Sequence, residues 1–314
     1  MKKNALVIGA TGLLGYNIVN NLVVNGWKVR AIARNVNISS DVFNSKEIEY
    51  LSGNIDDEEF LSATLKDVDK VFFFVSSTFP YSSKVYLNLE LSNTLIQLNN
   101  LLKKMLEYGV KQLVFPSSGG TVYGNVGIGK ANETMKLEPV TPYGMGKMMC
   151  EDILEYYSKF GISSTILRIG NVYGDFAFRN KKQGVIDIFV QKAITKEIAT
   201  IWGKSLDSIR DYIFLDDFVD AVVKLSDFDA KGVEKYNLGS GIGTSLRDII
   251  DIINKFSPFQ LIVHIIDNDI TSAVERIVLD INKIESKINW KPKYSIENGI
   301  KETIRRKLSN ECSK

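Results

Sequence analysis

Tyr143 and Lys147 are the residues whose types and spacing best suit chemistry in this chain. Residues four apart on a helix share one face, so the two side chains are expected to lie side by side. A lysine ammonium beside a phenol stabilises the phenolate, which allows the tyrosine to exchange protons near neutral pH. The pair therefore predicts acid-base catalysis at a carbinol or carbonyl carbon. The alternative interpretation is a surface tyrosine beside a solvated lysine.

The residues before Tyr143 predict the helix that must position the pair. Thr141 is a suitable N-cap, and Pro142 suits the first position of a helix. Apolar residues then recur at helical spacing through Met149, Ile153, Leu154 and Tyr157. We therefore expect Tyr143 to open a helix over residues 142 to 160.

A glycine-rich loop follows the apolar run Ala5–Ile8 and precedes a second helical pattern. A strand, a glycine-rich turn and a helix in this order are typical of dinucleotide binding. Glycine permits a tight turn and close approach of a pyrophosphate, and the helix N terminus supplies N–H groups. The alternative is that the glycines serve only helix-strand packing. The predicted cofactor-binding residues are Gly9, Thr11, Gly12, Leu13, Leu14 and Gly15.

The end of the second predicted strand, Ala33 followed by Arg34, discriminates between cofactors. A site that prefers NAD normally carries Asp or Glu here to hold the ribose 2′-hydroxyl, whereas the 2′-phosphate of NADP favours a cation. We therefore expect NADP(H), with NAD(H) as the alternative, and Arg34 as the phosphate ligand unless it is a solvated loop charge. Other strand ends are predicted to line the adenine and nicotinamide-ribose regions, with Asn54, Ile55, Ser76 and Ser77.

Composition describes an ordinary globular protein of 314 residues, 45% of them hydrophobic. Its 39 basic and 37 acidic residues are too evenly balanced to predict binding to nucleic acid or to an anionic membrane. No segment reaches the roughly 20 apolar residues of a membrane span. Two cysteines, Cys150 and Cys312, and one histidine, His264, favour neither a disulfide framework nor a metal site, and exclude a histidine-based triad. We expect a cytoplasmic protein without a metal.

Short apolar runs alternate with helical patterns through the first half of the chain. Strands are predicted at 6–8, 29–33, 49–51, 71–75, 112–115 and 165–169, and helices near 13–24, 57–66, 86–108 and 142–160. This alternation predicts an α/β fold with a doubly wound parallel Rossmann sheet, whose ligands bind at the carboxyl ends of the strands. We expect residues 1–170 to form that domain. Residues 171–314 are expected to form mainly a smaller substrate-binding lobe, with some elements returning to the main sheet.

Five motifs in a fixed order, and two in the tail, resemble the extended short-chain dehydrogenase/reductases that act on nucleotide sugars, which form the NAD-dependent epimerase/dehydratase family. The resemblance covers nearly the whole chain. The motifs are the loop at Gly9, the segment 117–124 (Ser-Ser-Gly-Gly-Thr-Val-Tyr-Gly), Tyr143 with Lys147, the segments 168–174 and 210–213, and 280–283 and 289–292 in the tail.

The resemblance implies a catalytic hydroxyl beside the tyrosine and the lysine, all next to the nicotinamide. The family commonly carries Ser or Thr four residues before the tyrosine of Val-Tyr-Gly, but here that position is Gly119. Ser118 or Thr121 must substitute, with Ser118 slightly favoured because it lies closer to the end of the fifth predicted strand. Sugar 4,6-dehydratases carry Asp-Glu directly before Val-Tyr. Gly120 and Thr121 stand there in this chain, which disfavours a dehydratase.

The resemblance also implies that Asn171 and Arg210 contact the sugar nucleotide, since a guanidinium can bind a diphosphate bidentately. Arg276 is a second candidate phosphate contact. A salt bridge from Arg210 to Asp211 or Asp207, and a surface charge at Arg276, are the structural alternatives. The catalytic side chains complete the predicted substrate contacts, namely Ser118, Thr121 and Tyr143.

Two enzymatic functions share these residues. The favoured one is reduction of the 4-keto group of an NDP-4-keto-6-deoxyhexose, dTDP- or GDP-linked, for surface-polysaccharide precursors. The alternative is an NAD-dependent 4-epimerase of the UDP-glucose type. Arg34, with no acid beside it, favours the reductase. A redox-sensing regulator is disfavoured because such proteins tend to lose the tyrosine or the lysine. The family further implies a homodimer formed through the helices at 86–108 and 142–160.

Overall fold

The computed structural model describes residues 2–34, 45–75, 94–174, 184–266 and 274–311. Its strands are β1 (Asn4–Ile8), β2 (Lys28–Ala33), β3 (Ile48–Ser52), β4 (Lys70–Phe73), β5 (Gln112–Ser118), β6 (Ser163–Ile169), β7 (Asn171–Tyr173), β8 (Ala199–Trp202), β9 (Ile209–Phe214), β10 (Val233–Leu238), β11 (Gly243–Ser245) and β12 (Val263–Ile266). Its α-helices are α1 (Leu13–Val24), α2 (Glu58–Thr64), α3 (Ile96–Glu107), α4 (Gly119–Val122), α5 (Pro142–Ser158), α6 (Val185–Thr195), α7 (Leu215–Ser226), α8 (Leu246–Phe256), α9 (Asn282–Ile288) and α10 (Ile296–Glu311).

Seven strands form the main sheet in the order β10-β6-β5-β4-β1-β2-β3. Strand β1 pairs in parallel with both β2 and β4, so the strand order reverses on either side of β1. In doubly wound sheets such a reversal creates a crevice at the carboxyl ends of the strands, where ligands bind. The predicted α/β Rossmann fold is confirmed.

The central strands are apolar along their length because helices cover both faces of a parallel sheet. Four of the five residues of β1 and five of the seven residues of β5 are buried. One continuous core joins these strands to helices α2, α3 and α5, and Cys150, Leu154 and Tyr157 are the contribution of α5. Burial of that face fixes α5 against β5, and so determines where Tyr143 and Lys147 lie.

The chain forms two compact units. Unit 1 comprises residues 1–122, 139–168 and 219–236, and unit 2 comprises 123–138, 169–218 and 237–314. In unit 2, β11, β9 and β7 form one small sheet and β12 pairs with β8 in another, while helices α6, α8 and α10 share an apolar core. The domain boundary drawn at residue 170 from the sequence stays a prediction.

The hydrophobic periodicity of the sequence predicts most elements of the main sheet to within a few residues, but it does not predict β10. Strand β10 has only three consecutive buried residues, at its carboxyl end, so its sequence carries no clear alternation. The expected helix at 86–108 is present as α3, and residues 86–93 lie outside the described part of the chain. Across the described ranges, no helix combines the length and the apolar character that crossing a bilayer requires.

Candidate active site

The glycine loop after β1 has the geometry that its sequence predicts. Gly9 has φ of +86°, and a β-carbon there would lie 2.5 Å from the carbonyl oxygen of Phe74, just beyond β4. A β-carbon at Gly15 would lie 2.3 Å from the Gly9 carbonyl oxygen, so glycine is required for α1 to approach the loop. Gly12 is the N-cap of α1 and has no side chain to occupy the first N–H groups of that helix. The loop therefore lies at the carboxyl ends of β1 and β4. The N–H groups of Gly9, Ala10 and Gly12 donate to backbone carbonyls, so the N terminus of α1, which has no side-chain cap, is the part that suits a ligand.

Arg34 follows the last residue of β2 and its side chain is exposed. Ala33 pairs with Ser52 on β3, so Asn54, which is exposed, and buried Ile55 follow the neighbouring strand end. The two acids that come next are occupied, because Asp57 caps α2 and Asp56 accepts from Gln97. Among the described residues, this edge offers a guanidinium without a competing carboxylate. Ser76 and Ser77 lie outside the described residues.

Tyr143 and Lys147 lie on the first two turns of α5, as predicted. Thr141 is the N-cap, and its hydroxyl accepts the N–H of Gly144 at 3.1 Å, with Pro142 in the first turn. Tyr143 is half-buried, and its ring centroid lies 5.7 Å from Nζ of Lys147. The lysine is 2% exposed and donates to the carbonyl oxygen of Pro116 at 2.9 Å. The interpretation of a solvated surface lysine is therefore wrong.

The two candidate hydroxyls lie at the carboxyl end of β5. Ser118 ends the strand and is partly exposed. Thr121 is buried in α4, and its hydroxyl donates a long 3.4 Å hydrogen bond to the Ser118 carbonyl. Ser117 is engaged elsewhere, since it donates to Glu151 at 2.5 Å. Both Ser118 and Thr121 therefore stay candidates for the catalytic hydroxyl.

A buried ion pair beneath these residues was missed from the sequence. Glu151 accepts two hydrogen bonds from Nε of Arg168, at 3.1 and 3.2 Å, and one from its Nη2 at 2.7 Å. Both side chains are 2% exposed. The four-residue spacing could have indicated it, because Glu151 lies one turn after Lys147 on the helix face that carries Tyr143.

In unit 2, Arg210 is held by backbone carbonyls. Its guanidinium donates to the carbonyl oxygens of Ile209 at 2.9 Å and Glu275 at 3.2 Å, and also to that of Val274. The alternative of a salt bridge does not hold for Asp207, which pairs with Arg247 at 3.0 Å. Burial lowers the pKa of Arg210.

The salt-bridge alternative fails for Asp211 too, because its carboxylate accepts hydrogen bonds from three other residues of unit 2. It accepts from the N–H and hydroxyl of Ser240 at 2.7 and 2.9 Å, and from the N–H groups of Gly241 and Leu279 at 3.0 and 3.1 Å. Burial raises the pKa of Asp211 to about 6 even though these donors favour the carboxylate. The Asn171 amide donates to the Asp211 carbonyl at 3.2 Å, so Asn171 and Arg210 are positioned by the same stretch of β9.

Arg276 is half-buried in unit 2, and its backbone forms an isolated bridge with Ile209, the neighbour of Arg210. Its Nε is buried without a hydrogen-bond partner among the described residues. Arg276 and Arg210 thus lie on paired stretches of unit 2.

The described residues fit a bound dinucleotide. The N terminus of α1 has no side-chain cap, so its first N–H groups suit an approaching pyrophosphate. The Lys147 ammonium has three N–H donors, of which Pro116 takes one. Within the described ranges the other two donors have no acceptor, which suits ribose hydroxyls and a phenolate.

Three similarities to known proteins agree with this geometry. Over 301 residues, covering 95% of this chain and 96% of the relative, the chain is 30% identical to the putative UDP-glucose 4-epimerase of Methanocaldococcus jannaschii. It is 27% identical over 311 residues to the dTDP-4-dehydro-6-deoxyglucose reductase of Escherichia coli, covering 97% of each chain. The crystal structure of Thermus thermophilus UDP-glucose 4-epimerase in complex with NAD is 25% identical, with a TM-score of 0.86 over 97% of this chain and 99% of that one.

Residues 5–239 match the model of the NAD dependent epimerase/dehydratase family, which confirms the resemblance drawn from the motifs. The match begins at β1 and ends just after β10, so it takes in every strand of the main sheet. This chain belongs to that family, and is an enzyme of the NAD-dependent nucleotide-sugar epimerase, dehydratase and reductase class.

Proposed function

We propose that this protein is an NADPH-dependent 4-ketoreductase, which reduces the keto group of an NDP-4-keto-6-deoxyhexose, dTDP- or GDP-linked, for surface-polysaccharide precursors. The observation that carries the proposal is Arg34, exposed at the end of β2 without a competing carboxylate among the described residues. A guanidinium suits the 2′-phosphate that distinguishes NADP from NAD. The 27% identity to a dTDP-4-dehydro-6-deoxyglucose reductase supports the same function. We place the reaction in the cytoplasm, where NADPH and nucleotide sugars are both present.

The chain's own residues would handle the proton while the bound nicotinamide supplies the hydride. Tyr143 donates its phenolic proton to the sugar oxygen as that oxygen becomes an alkoxide. Lys147, held by Pro116, stabilises the resulting phenolate. The hydroxyl of Ser118 or Thr121 donates to the same oxygen and keeps it in place. Asn171, Arg210 and Arg276 of unit 2 would bind the nucleotide portion of the substrate.

The experiment that tests the proton-transfer role is Tyr143→Phe. Turnover should fall by roughly 10²- to 10⁴-fold, the usual contribution of a general acid or base, while cofactor affinity and thermal stability stay near wild type. Tyr156→Phe is the matched control, since Tyr156 is an exposed tyrosine of the same helix and should have no effect. Retained turnover in Tyr143→Phe would refute the role.

The second candidate function is an NAD-dependent 4-epimerase. It is favoured by the 30% identity to a putative UDP-glucose 4-epimerase and by the similarity to a UDP-glucose 4-epimerase solved with NAD. The same Tyr143 would then first accept and later return the proton, because an epimerase oxidises and re-reduces the same carbon. The catalytic residues cannot separate the two functions, but consumption of the cofactor can.

The purified protein should oxidise NADPH stoichiometrically with dTDP-4-keto-6-deoxyglucose or its GDP-linked counterpart, seen as loss of nicotinamide absorbance. The product should be a 6-deoxyhexose reduced at carbon 4. With UDP-glucose or UDP-galactose, neither interconversion nor cofactor consumption is expected. A protein that purifies with NAD and equilibrates UDP-hexoses without added cofactor would establish the epimerase instead.

A homodimer through α3 and α5 is part of the proposal. Tyr157 on α5 donates to Asn99 on α3 at 2.9 Å, and large apolar side chains beside this contact are exposed, Tyr156 and Phe160 by 55% each. Light scattering should give a dimer for the wild type and a monomer for Tyr156→Lys with Phe160→Lys. Phe259→Lys, at an exposed phenylalanine of unit 2, is the control that should stay dimeric. A monomeric wild type would contradict the proposal.

A further inference from the structure

Three side chains of α5 lie on one face at successive turns, namely Tyr143, Lys147 and Glu151. The proposed chemistry uses the first two and gives no role to the third. Glu151 is buried and accepts the hydroxyl of Ser117 at 2.5 Å on one carboxylate oxygen. Both of its oxygens also accept from Arg168 on β6. The carboxylate therefore connects α5 to two strands of the main sheet.

Lys147 and Glu151 contact consecutive residues of β5. Lys147 donates to the carbonyl oxygen of Pro116 at 2.9 Å, and Ser117 donates to Glu151 at 2.5 Å. The next residue is Ser118, one of the candidate catalytic hydroxyls. A slide or rotation of α5 along β5 would strain both hydrogen bonds together. The two bonds therefore fix the distance between the Tyr143 turn and the end of β5.

Stability alone does not account for a charged pair in this place. Desolvation of two ions opposes their attraction, so apolar residues of similar volume often hold a core equally well or better. Apolar contacts are non-directional and tolerate small slides between a helix and a strand. Hydrogen bonds with a carboxylate and a guanidinium have narrow geometry and do not. The Ser117, Glu151 and Arg168 network thus gives register at this position.

We propose that Glu151 is a positioning residue for proton transfer, which holds Lys147 and the end of β5 in register, with Arg168 as its counterion. The inference rests on the proposed roles of Tyr143 and Lys147. In this proposal Ser117 is a structural donor to Glu151, and the catalytic hydroxyl belongs to Ser118 or Thr121.

Ser117→Ala tests the inference with the least effect on the fold, because it removes the hydrogen bond to Glu151 and keeps the ion pair between Glu151 and Arg168. Turnover should fall about tenfold or more, since misplacement of catalytic groups by about 1 Å can cost 10²-fold in rate. The KM for the sugar nucleotide and the affinity for NADPH should stay at wild-type values. Ser164→Ala is the matched control. Ser164 is a fully buried serine of the neighbouring strand whose hydroxyl has no partner among the described residues, so turnover should not change.

A second pair of variants distinguishes a role of Glu151 in positioning from a role in the stability of the fold. Glu151→Gln leaves Arg168 as a buried cation without its counterion, so melting temperature and turnover should both fall. Glu151→Met with Arg168→Met removes both charges and also the acceptor of the Ser117 hydrogen bond, so melting temperature should recover while turnover stays low. Recovery of turnover together with melting temperature would overturn the positioning role. So would wild-type turnover in Ser117→Ala.

A structural measurement keeps the inference testable apart from the proposed reaction. In a crystal structure of Ser117→Ala, Nζ of Lys147 should move away from the Pro116 oxygen relative to the 2.9 Å seen here. An unchanged contact would overturn the inference whether or not a substrate is known. Failure of the proposed function is recognised separately, by Tyr143→Phe keeping full turnover or by the wild type acting on none of the sugars named above.

Discussion

Gly144 lies so close to Thr121 that a β-carbon at residue 144 would sit 2.7 Å from the Thr121 carbonyl oxygen. The first turn of α5 therefore packs directly on α4, where only the absence of a side chain permits the approach. Tyr143 is the adjacent residue, so this contact limits how closely the Tyr143 turn can approach α4, which carries Thr121.

Gly144→Ala should push the Tyr143 turn away from α4 and lower turnover by up to about 10²-fold through misplacement. Overpacking of this kind typically destabilises by about 1–3 kcal/mol. Steady-state kinetics and thermal melts check both effects. Gly129→Ala is the control, because no atom lies within 4 Å of a β-carbon built there. Wild-type turnover in Gly144→Ala would show that the contact does not position Tyr143.

Arg34→Ala should weaken NADPH binding by roughly 1.5 to 3 kcal/mol, the scale of a hydrogen bond to a charged group, and leave NADH binding almost unchanged. Fluorescence or calorimetric titration with each cofactor measures the difference. Lys28→Ala, at the exposed first residue of the same strand, should affect neither cofactor. Equal losses for NADPH and NADH would remove Arg34 from the 2′-phosphate site and favour the epimerase.

Arg210→Ala should raise the dissociation constant of the sugar nucleotide much more than that of NADPH, because the guanidinium is the proposed diphosphate ligand. Calorimetry with a nucleoside diphosphate and with NADPH checks this selectivity. Arg247→Ala, which removes an exposed arginine of unit 2, should change neither affinity. Because Arg210 also holds the carbonyls of Val274 and Glu275, a loss of thermal stability with unchanged sugar-nucleotide affinity would assign it a structural role.

Asp211 should make the free energy of unfolding decrease as pH rises through the weakly acidic range. Its pKa in the folded protein is about 6, above the ordinary 3.8, so between these values the folded chain holds a proton that the unfolded chain releases. Its contribution to stability is therefore fully present below the ordinary pKa and is lost as pH rises through about 6.

Denaturant titrations of wild type and Asp211→Asn at several pH values measure this contribution. The difference in unfolding free energy, wild type minus variant, should decrease by at most about 1.4 kcal/mol per pH unit over that interval. Asp207→Asn, at an aspartate whose side chain is 76% exposed, should show no such trend. A difference that grows with pH would contradict the raised pKa.

Local signals explain what could be predicted from the sequence. Thr141 and Pro142 predict the start of α5 because an N-cap and a first-turn proline act on adjacent backbone. The glycine-rich loop after β1 can be predicted for the same reason, because its conformation depends on adjacent residues. The long-range partners of Arg210 could not be predicted, because two of the carbonyls that hold it lie 64 and 65 residues away and every residue carries a carbonyl. The Ser117 contact of Glu151 joins a strand to a helix 34 residues later, and only the packed core brings them together.

The late position of β10 in the chain has a consequence for synthesis on the ribosome. Strand β10 (Val233–Leu238) is the edge neighbour of β6, but it emerges only after residues 169–218, which belong to unit 2. Until then the edge of β6 carries unpaired N–H and C=O groups, which are a template for association with other chains. A fragment that stops at residue 170 would keep that edge permanently open. Expression of residues 1–170 alone is therefore expected to yield aggregated protein.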